Sequence, residues 1–144
     1  MKLFLSVFFL LILWSCNRNN SEPVIVGTWE LVSAKTITKD SVFSSVHPNE
    51  RMIKIFNQTH FSFLRHDIHK GKDSLAVFVA GGGKYTLKDT NYTEYLEYLN
   101  YRDWEGKVFN FTATVKKDTL VIEGVEKIDE LGVNHKIIEV YKRL

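Results

Sequence analysis

The sequence predicts an all-β domain, an eight-stranded antiparallel up-and-down barrel over residues 24–144. Three observations carry this. From Val24 onward the apolar residues recur every second position, the period of a strand with one buried face, and not at the 3.6-residue period of a helix. The apolar stretches are short and rich in β-branched and aromatic side chains. Between them lie segments dense in turn-forming Asp, Asn and Gly. About eight such strands joined by tight turns suit a sheet closed on itself, which leaves no open edge to pair with other chains.

The strands follow one another along the chain. "VGTWELVSA" (Val26 to Ala34) is the first, then "RMIKIFN" (Arg51 to Asn57), "HFSFLRH" (His60 to His66) and "SLAVFVA" (Ser74 to Ala80). The second half continues with "GKYTLKD" (Gly83 to Asp89), "YTEYLEY" (Tyr92 to Tyr98), "KVFNFTATVKK" (Lys107 to Lys117), "TLVIEG" (Thr119 to Gly124) and "HKIIEVYKR" (His135 to Arg143). The turns "KDTN", "DWEG", "KKD" and "DELGVN" separate them. The count is eight or nine, depending on whether Gly81 to Gly83 bend one strand or separate two. The apolar residues of Glu94 to Trp104 could also lie on a helix, but three tyrosines and alternation from Tyr92 favour a strand.

Alternation then sorts side chains into inward and outward sets. Placing Trp29 inside takes Leu31 with it, and the same parity sends Phe61 with Phe63, Tyr85 with Leu87, and Phe109 with Phe111 to the interior. "YTEYLEY" is harder. With Tyr92, Leu96 and Tyr98 inside, Glu94 is inside too; with Tyr95 and Leu99 inside, Glu97 is. Either register puts a carboxyl among aromatic rings, where it pairs with a cation, bonds to tyrosines or stays protonated. The alternative is a strand twisted so that its glutamates reach solvent at the barrel mouth.

Ahead of the barrel, Met1 and Lys2 precede the apolar run Leu3 to Trp14, the proportions of a secretory signal. A transmembrane helix needs roughly 20 apolar residues, and Asn17, Arg18, Asn19 and Asn20 follow too soon. "LWSC", Leu13 to Cys16, resembles the bacterial lipoprotein box of Leu, a variable residue, a small residue and Cys. The resemblance implies that residues 1–15 are a removed signal, that Cys16 is lipidated, and that residues 16–23 are a polar tether to the fold. It also implies an outer-membrane lipoprotein of the cell envelope, facing the periplasm. The alternative is a secreted protein in which the single cysteine is incidental.

Residues 24–144 are enough for one domain with a core built without disulfides. The net charge is +2 with 25% charged residues, and Lys and Arg are scattered with no basic stripe, so no nucleic-acid partner is expected. A monomer is expected. Catalytic motifs are missing: there is no second cysteine, no Gly-x-Ser-x-Gly and no phosphate loop, since Gly81 to Gly83 precede a strand and not a helix. His60, His66 and His69 match no standard zinc spacing and run into the polar loop "HDIHKGKDS". Neither a catalytic site, a metal nor a cofactor is expected.

"GTWELVS" (Gly27 to Ser33) resembles the Gly-x-Trp signature of lipocalins and related calycin barrels. "AGGGKYTLKDTNYTEYLEY" (Ala80 to Tyr98), "WEGKVFNFTATVKKDTLVIEG" (Trp104 to Gly124) and "EVYKR" (Glu139 to Arg143) are similar to the lipocalin-like lipoproteins of Bacteroidota. The resemblance implies a calycin barrel, a small apolar ligand, and closure of one barrel end by Trp29 beneath Arg143, a cation–π contact of roughly 0.5–2 kcal/mol. On this reading the ligand lies against Phe63, Tyr85, Glu94, Tyr98 and Phe111. "DSV", "DSL" and "DTL" resemble a periplasmic O-glycosylation sequon, implying sugars on Ser41, Ser74 and Thr119; ordinary turn chemistry is the alternative. Two function classes are compatible with these features: a lipid-anchored barrel that binds a small apolar or amphipathic molecule, or a structural or interaction module whose barrel is filled by its own side chains.

Overall fold

The computed structural model describes residues 24–144 apart from residues 73 and 75. The signal-like run, Cys16 and the tether to Pro23 lie outside the described residues. The described residues form nine strands: β1 Gly27–Ile37, β2 Val42–Ser44, β3 Glu50–Phe56, β4 His60–Asp67, β5 Phe78–Lys88, β6 Asn91–Leu99, β7 Val108–Lys116, β8 Thr119–Ile128 and β9 Val133–Arg143. From β3 to β9 each strand pairs antiparallel with the next, while β1 pairs with both β3 and β9. Eight strands thus close a barrel. The ninth, β2, is a three-residue strand on the stretch Lys35–Ile37 of β1, along the edge where β3 no longer reaches.

Gly81 to Gly83 bend a strand and do not divide it: β5 runs through them without a break. Backbone crowding explains the three glycines. A Cβ on Gly83 would lie 1.9 Å from the Tyr95 carbonyl oxygen, and one on Gly82 would lie 2.4 Å from that of Phe61. Opposite them β6 bulges. Gly82 pairs with Tyr98 and Gly83 with Leu96, which leaves Glu97 as the extra residue. The bulge reverses the alternation, so Leu96 and Leu99 both face the core while Tyr98 turns outward and is 67% exposed. Neither single register of "YTEYLEY" holds along its whole length. The strand continues to Leu99, and only Arg102–Trp104 form a short helical turn.

The core is aromatic and graded along the barrel axis. At one end, residues 24–26 cross beneath the strands and bury Ile25 completely. Trp29, also fully buried, donates its indole N–H to the Ile25 carbonyl at 2.8 Å. The Arg143 guanidinium lies 4.0 Å from the Trp29 ring centroid and donates to the carbonyls of Val26 at 2.8 Å and Val24 at 2.9 Å. This end is sealed. Above it Phe56 packs edge-on against Tyr85 at 5.4 Å, and Tyr92 stacks on Phe111 at 6.3 Å. No helix among the described residues is long and apolar enough to cross a membrane.

Candidate functional site: a cavity with a charged floor

Above the aromatic layers the interior turns polar for a reason of parity. Lys54 shares its face of β3 with Phe56, Glu94 shares its face of β6 with Tyr92, and Glu139 shares its face of β9 with Tyr141. Regular alternation therefore carries all three charged groups inside with their apolar neighbours. They meet there. The Lys54 ammonium is 2.5 Å from Glu94 Oε1, and the Tyr92 hydroxyl donates to the same oxygen at 2.6 Å. The rings of Phe61, Tyr92 and Tyr141 surround the ammonium with centroids at 5.3, 5.9 and 6.0 Å.

Burial alone would lower the pKa of Lys54, but Glu94 and Glu139 more than offset it and hold the group above its ordinary value. Lys54 is a fixed cation. Burial first, then the Glu94 carboxylate, pushes Tyr92 well above 10.0, and burial with Glu139 does the same for Tyr141. Both phenols remain donors. The Tyr141 hydroxyl bonds to Glu139 Oε2 at 2.6 Å, and Glu126 Oε2 lies 2.9 Å from His135 Nε2.

Glu139 is raised above its ordinary value by burial, despite Lys54 and the Tyr141 hydroxyl, which oppose the shift. A carboxyl raised in the folded state adds no penalty below its unfolded value, near 4.5, and costs stability as the pH climbs through the folded value. Glu139→Gln should therefore melt at a higher temperature than the parent at pH 7, with the difference closing toward pH 4. The amide oxygen can still accept from Tyr141. Thermal melts across this range check it, and a variant less stable at pH 7 would contradict the assignment.

Over this floor lies a cavity of about 260 Å³. Phe63, Leu96, Phe109, Phe111 and Ile137 form apolar walls, Glu94 and Glu139 line it from below, and Arg65 and Glu126 line it nearer the end away from Trp29. Trp104 packs on Phe109 at 6.0 Å, and Tyr101, more than half exposed, stands where the cavity reaches the surface. Glu139, though deep in the barrel, keeps accessible surface because it faces this space. Arg65 is tied to Glu50 by an ion pair.

Of the residues expected at a ligand, Phe63, Glu94 and Phe111 line the cavity. Tyr85 faces inward but lies in the packed layers toward the sealed end, its hydroxyl donating to the Asn57 carbonyl at 2.7 Å. Packing keeps it from the cavity. Tyr98 is on the outside of the barrel, and the expectation that it faces the ligand is corrected by the bulge at Glu97. Of the three residues expected to carry sugars, Ser41 is exposed between β1 and β2 and bonds to Thr38 at 2.8 Å. Ser74 is exposed between β4 and β5, and Thr119 opens β8. No three His, Cys, Asp or Glu side chains converge among the described residues as they would around a metal ion.

Lys54, Arg65, Glu126 and Glu139 were not singled out by the sequence. Their signal was a charged residue at core parity, such as Lys54 two residues before Phe56. Fold and site together define a closed eight-stranded antiparallel barrel with an internal, partly charged cavity. No family model matches the chain, and comparison with curated proteins and with solved structures finds no match either.

Proposed function

We propose that this chain is a lipid-anchored, lipocalin-like protein of the cell envelope that holds a small apolar or amphipathic molecule inside its barrel. The observation that carries the binding role is the cavity: about 260 Å³ of space bounded by aromatic and aliphatic walls, with the charged groups Arg65, Glu94, Glu126 and Glu139 set among them. Pockets for small molecules combine such a lining with a small number of orienting polar groups. The Gly27-x-Trp29 signature supports the lipocalin-like part, and the apolar run ending at Cys16 supports the anchor. The role is binding and not catalysis.

The test is titration of the detergent-purified protein with an environment-sensitive apolar dye, alongside Leu96→Trp, in which the indole fills the cavity. Saturable binding in the parent, lost in a variant that still melts cooperatively, is the expected outcome. The variant also reports any signal from the micelle. For the anchor, Cys16→Ser should move the protein out of the membrane fraction, because stable attachment needs two or more acyl chains on the chain end. Unchanged sedimentation with membranes would remove Cys16 from that role.

A second reading has its own support. Ile55, Leu64 and Phe78, each exposed, lie on the outer face of β3, β4 and β5, with Tyr98 beside them on β6. They suit contact with another protein. Failure of the parent to bind the dye would favour this interaction role over the ligand role.

A further inference from the structure

The charges around the cavity restrict what the polar end of its occupant can be, a restriction that rests on the barrel binding a small molecule. Near the cavity, among the described residues, stand the permanent cations Lys54 and Arg65, and each is already engaged by a carboxylate, Glu94 and Glu50 respectively. Glu126 and Glu139 are left over, with His135 facing the first of them at 2.9 Å. Glu139 accepts the Tyr141 hydroxyl on Oε2 and has no Lys or Arg nitrogen within ion-pair distance among the described residues. The cavity interior carries more acid than base.

The free acceptors also point the same way. Both bonds to Glu94 end on Oε1 and the one to Glu139 ends on Oε2, so among the described residues each keeps one carboxylate oxygen unengaged. Glu94 is 7% exposed and both residues line the cavity. Lys54 does not line it: the cation best suited to an anionic headgroup is enclosed beneath Glu94. A carboxylate entering here would meet Glu94, Glu126 and Glu139, and the one Lys or Arg among the described residues that lines the space, Arg65, is already paired through Nε with Glu50.

We propose that the ligand is a protonated amine on a small apolar body, its ammonium donating to Glu94 and Glu139 on the floor while the body lies against Phe63, Leu96 and Phe109. An ammonium offers three donors and no acceptor, the complement of two carboxylates that only accept. It also brings the positive charge that the interior lacks. Because a cavity of about 150 Å³ accommodates benzene, one of 260 Å³ takes roughly ten non-hydrogen atoms.

Phenethylamine, 2-phenylethanol and phenylacetate share one apolar body and differ only at the end group. Calorimetric titration of the detergent-purified protein with each at pH 7 should show the amine binding about tenfold tighter than the alcohol, and phenylacetate weakest. In Glu139→Gln the amine should weaken about tenfold while the alcohol is nearly unchanged. An alcohol or acid that binds the parent as tightly as the amine overturns the assignment, and so does a Glu139→Gln protein that keeps the full preference. The three-probe comparison on the parent stands even if that variant folds poorly. Dye uptake without amine preference defeats this inference alone. Refusal of the dye and of all three probes defeats the binding role with it.

Discussion

Trp29→Ala should destabilise the fold by about 3–5 kcal/mol, the cost of truncating a large side chain in a site that cannot collapse. Trp29 is fully buried, its N–H is bonded to the Ile25 carbonyl, and Arg143 lies on its ring. Removing the indole opens a void between residues 24–26 and the first layer of the core, leaves that carbonyl without its donor, and frees the guanidinium. Arg143→Ala leaves the indole packed and loses two hydrogen bonds and the cation–π contact, so a smaller cost of about 1–3 kcal/mol is expected. Urea unfolding followed by circular dichroism gives both values. A Trp29→Ala protein as stable as the parent would mean that this end of the barrel is not sealed by the stacked pair.

Lys54→Met should be comparably severe, about 3–5 kcal/mol, because it leaves Glu94 buried without its cation. The penalty arises from the abandoned carboxylate more than from the lost attraction, so the order of variants is diagnostic. Lys54→Met combined with Glu94→Gln should be more stable than Lys54→Met alone, since the amide needs no counter-charge and its oxygen still accepts from Tyr92. Glu94→Gln alone should cost less than Lys54→Met, because Glu139 continues to favour the charged lysine. Equilibrium unfolding of the three variants measures the coupling. Strictly additive losses would show that the two groups do not depend on each other.

The barrel was legible because one face of nearly every strand is buried, and a two-residue period records that directly. Trp29, Phe61, Phe63, Phe109 and Phe111 all take the inward positions their parity gives. Tyr98 did not, for a nonlocal reason. Its direction is set by how closely the backbone of Gly82 and Gly83 on β5 approaches β6, and a bulge costs one residue of phase that no pattern within β6 displays. β2 was missed because three exposed residues carry no periodicity to detect. The charged floor was half legible. Parity places Lys54, Glu94 and Glu139 inside, but which cation meets which carboxylate depends on strands 40 residues apart in the chain, as Lys54 and Glu94 are.

The pairing of β1 with β9 also bears on how the chain reaches its native state. Seven of the eight barrel seams join strands adjacent in the barrel's sequence order and can form as local hairpins or short-range pairs, whereas the eighth joins the first strand to the last. The Arg143 bond to Val26 spans 117 residues. Loop-closure entropy is largest for that seam, so it is the slowest of the eight to form. Until β9 is in place the molecule is an open sheet with unpaired backbone along both margins, a template for association with other chains. Zipping of β1 against β9 is the step that closes the sheet and ends this exposure.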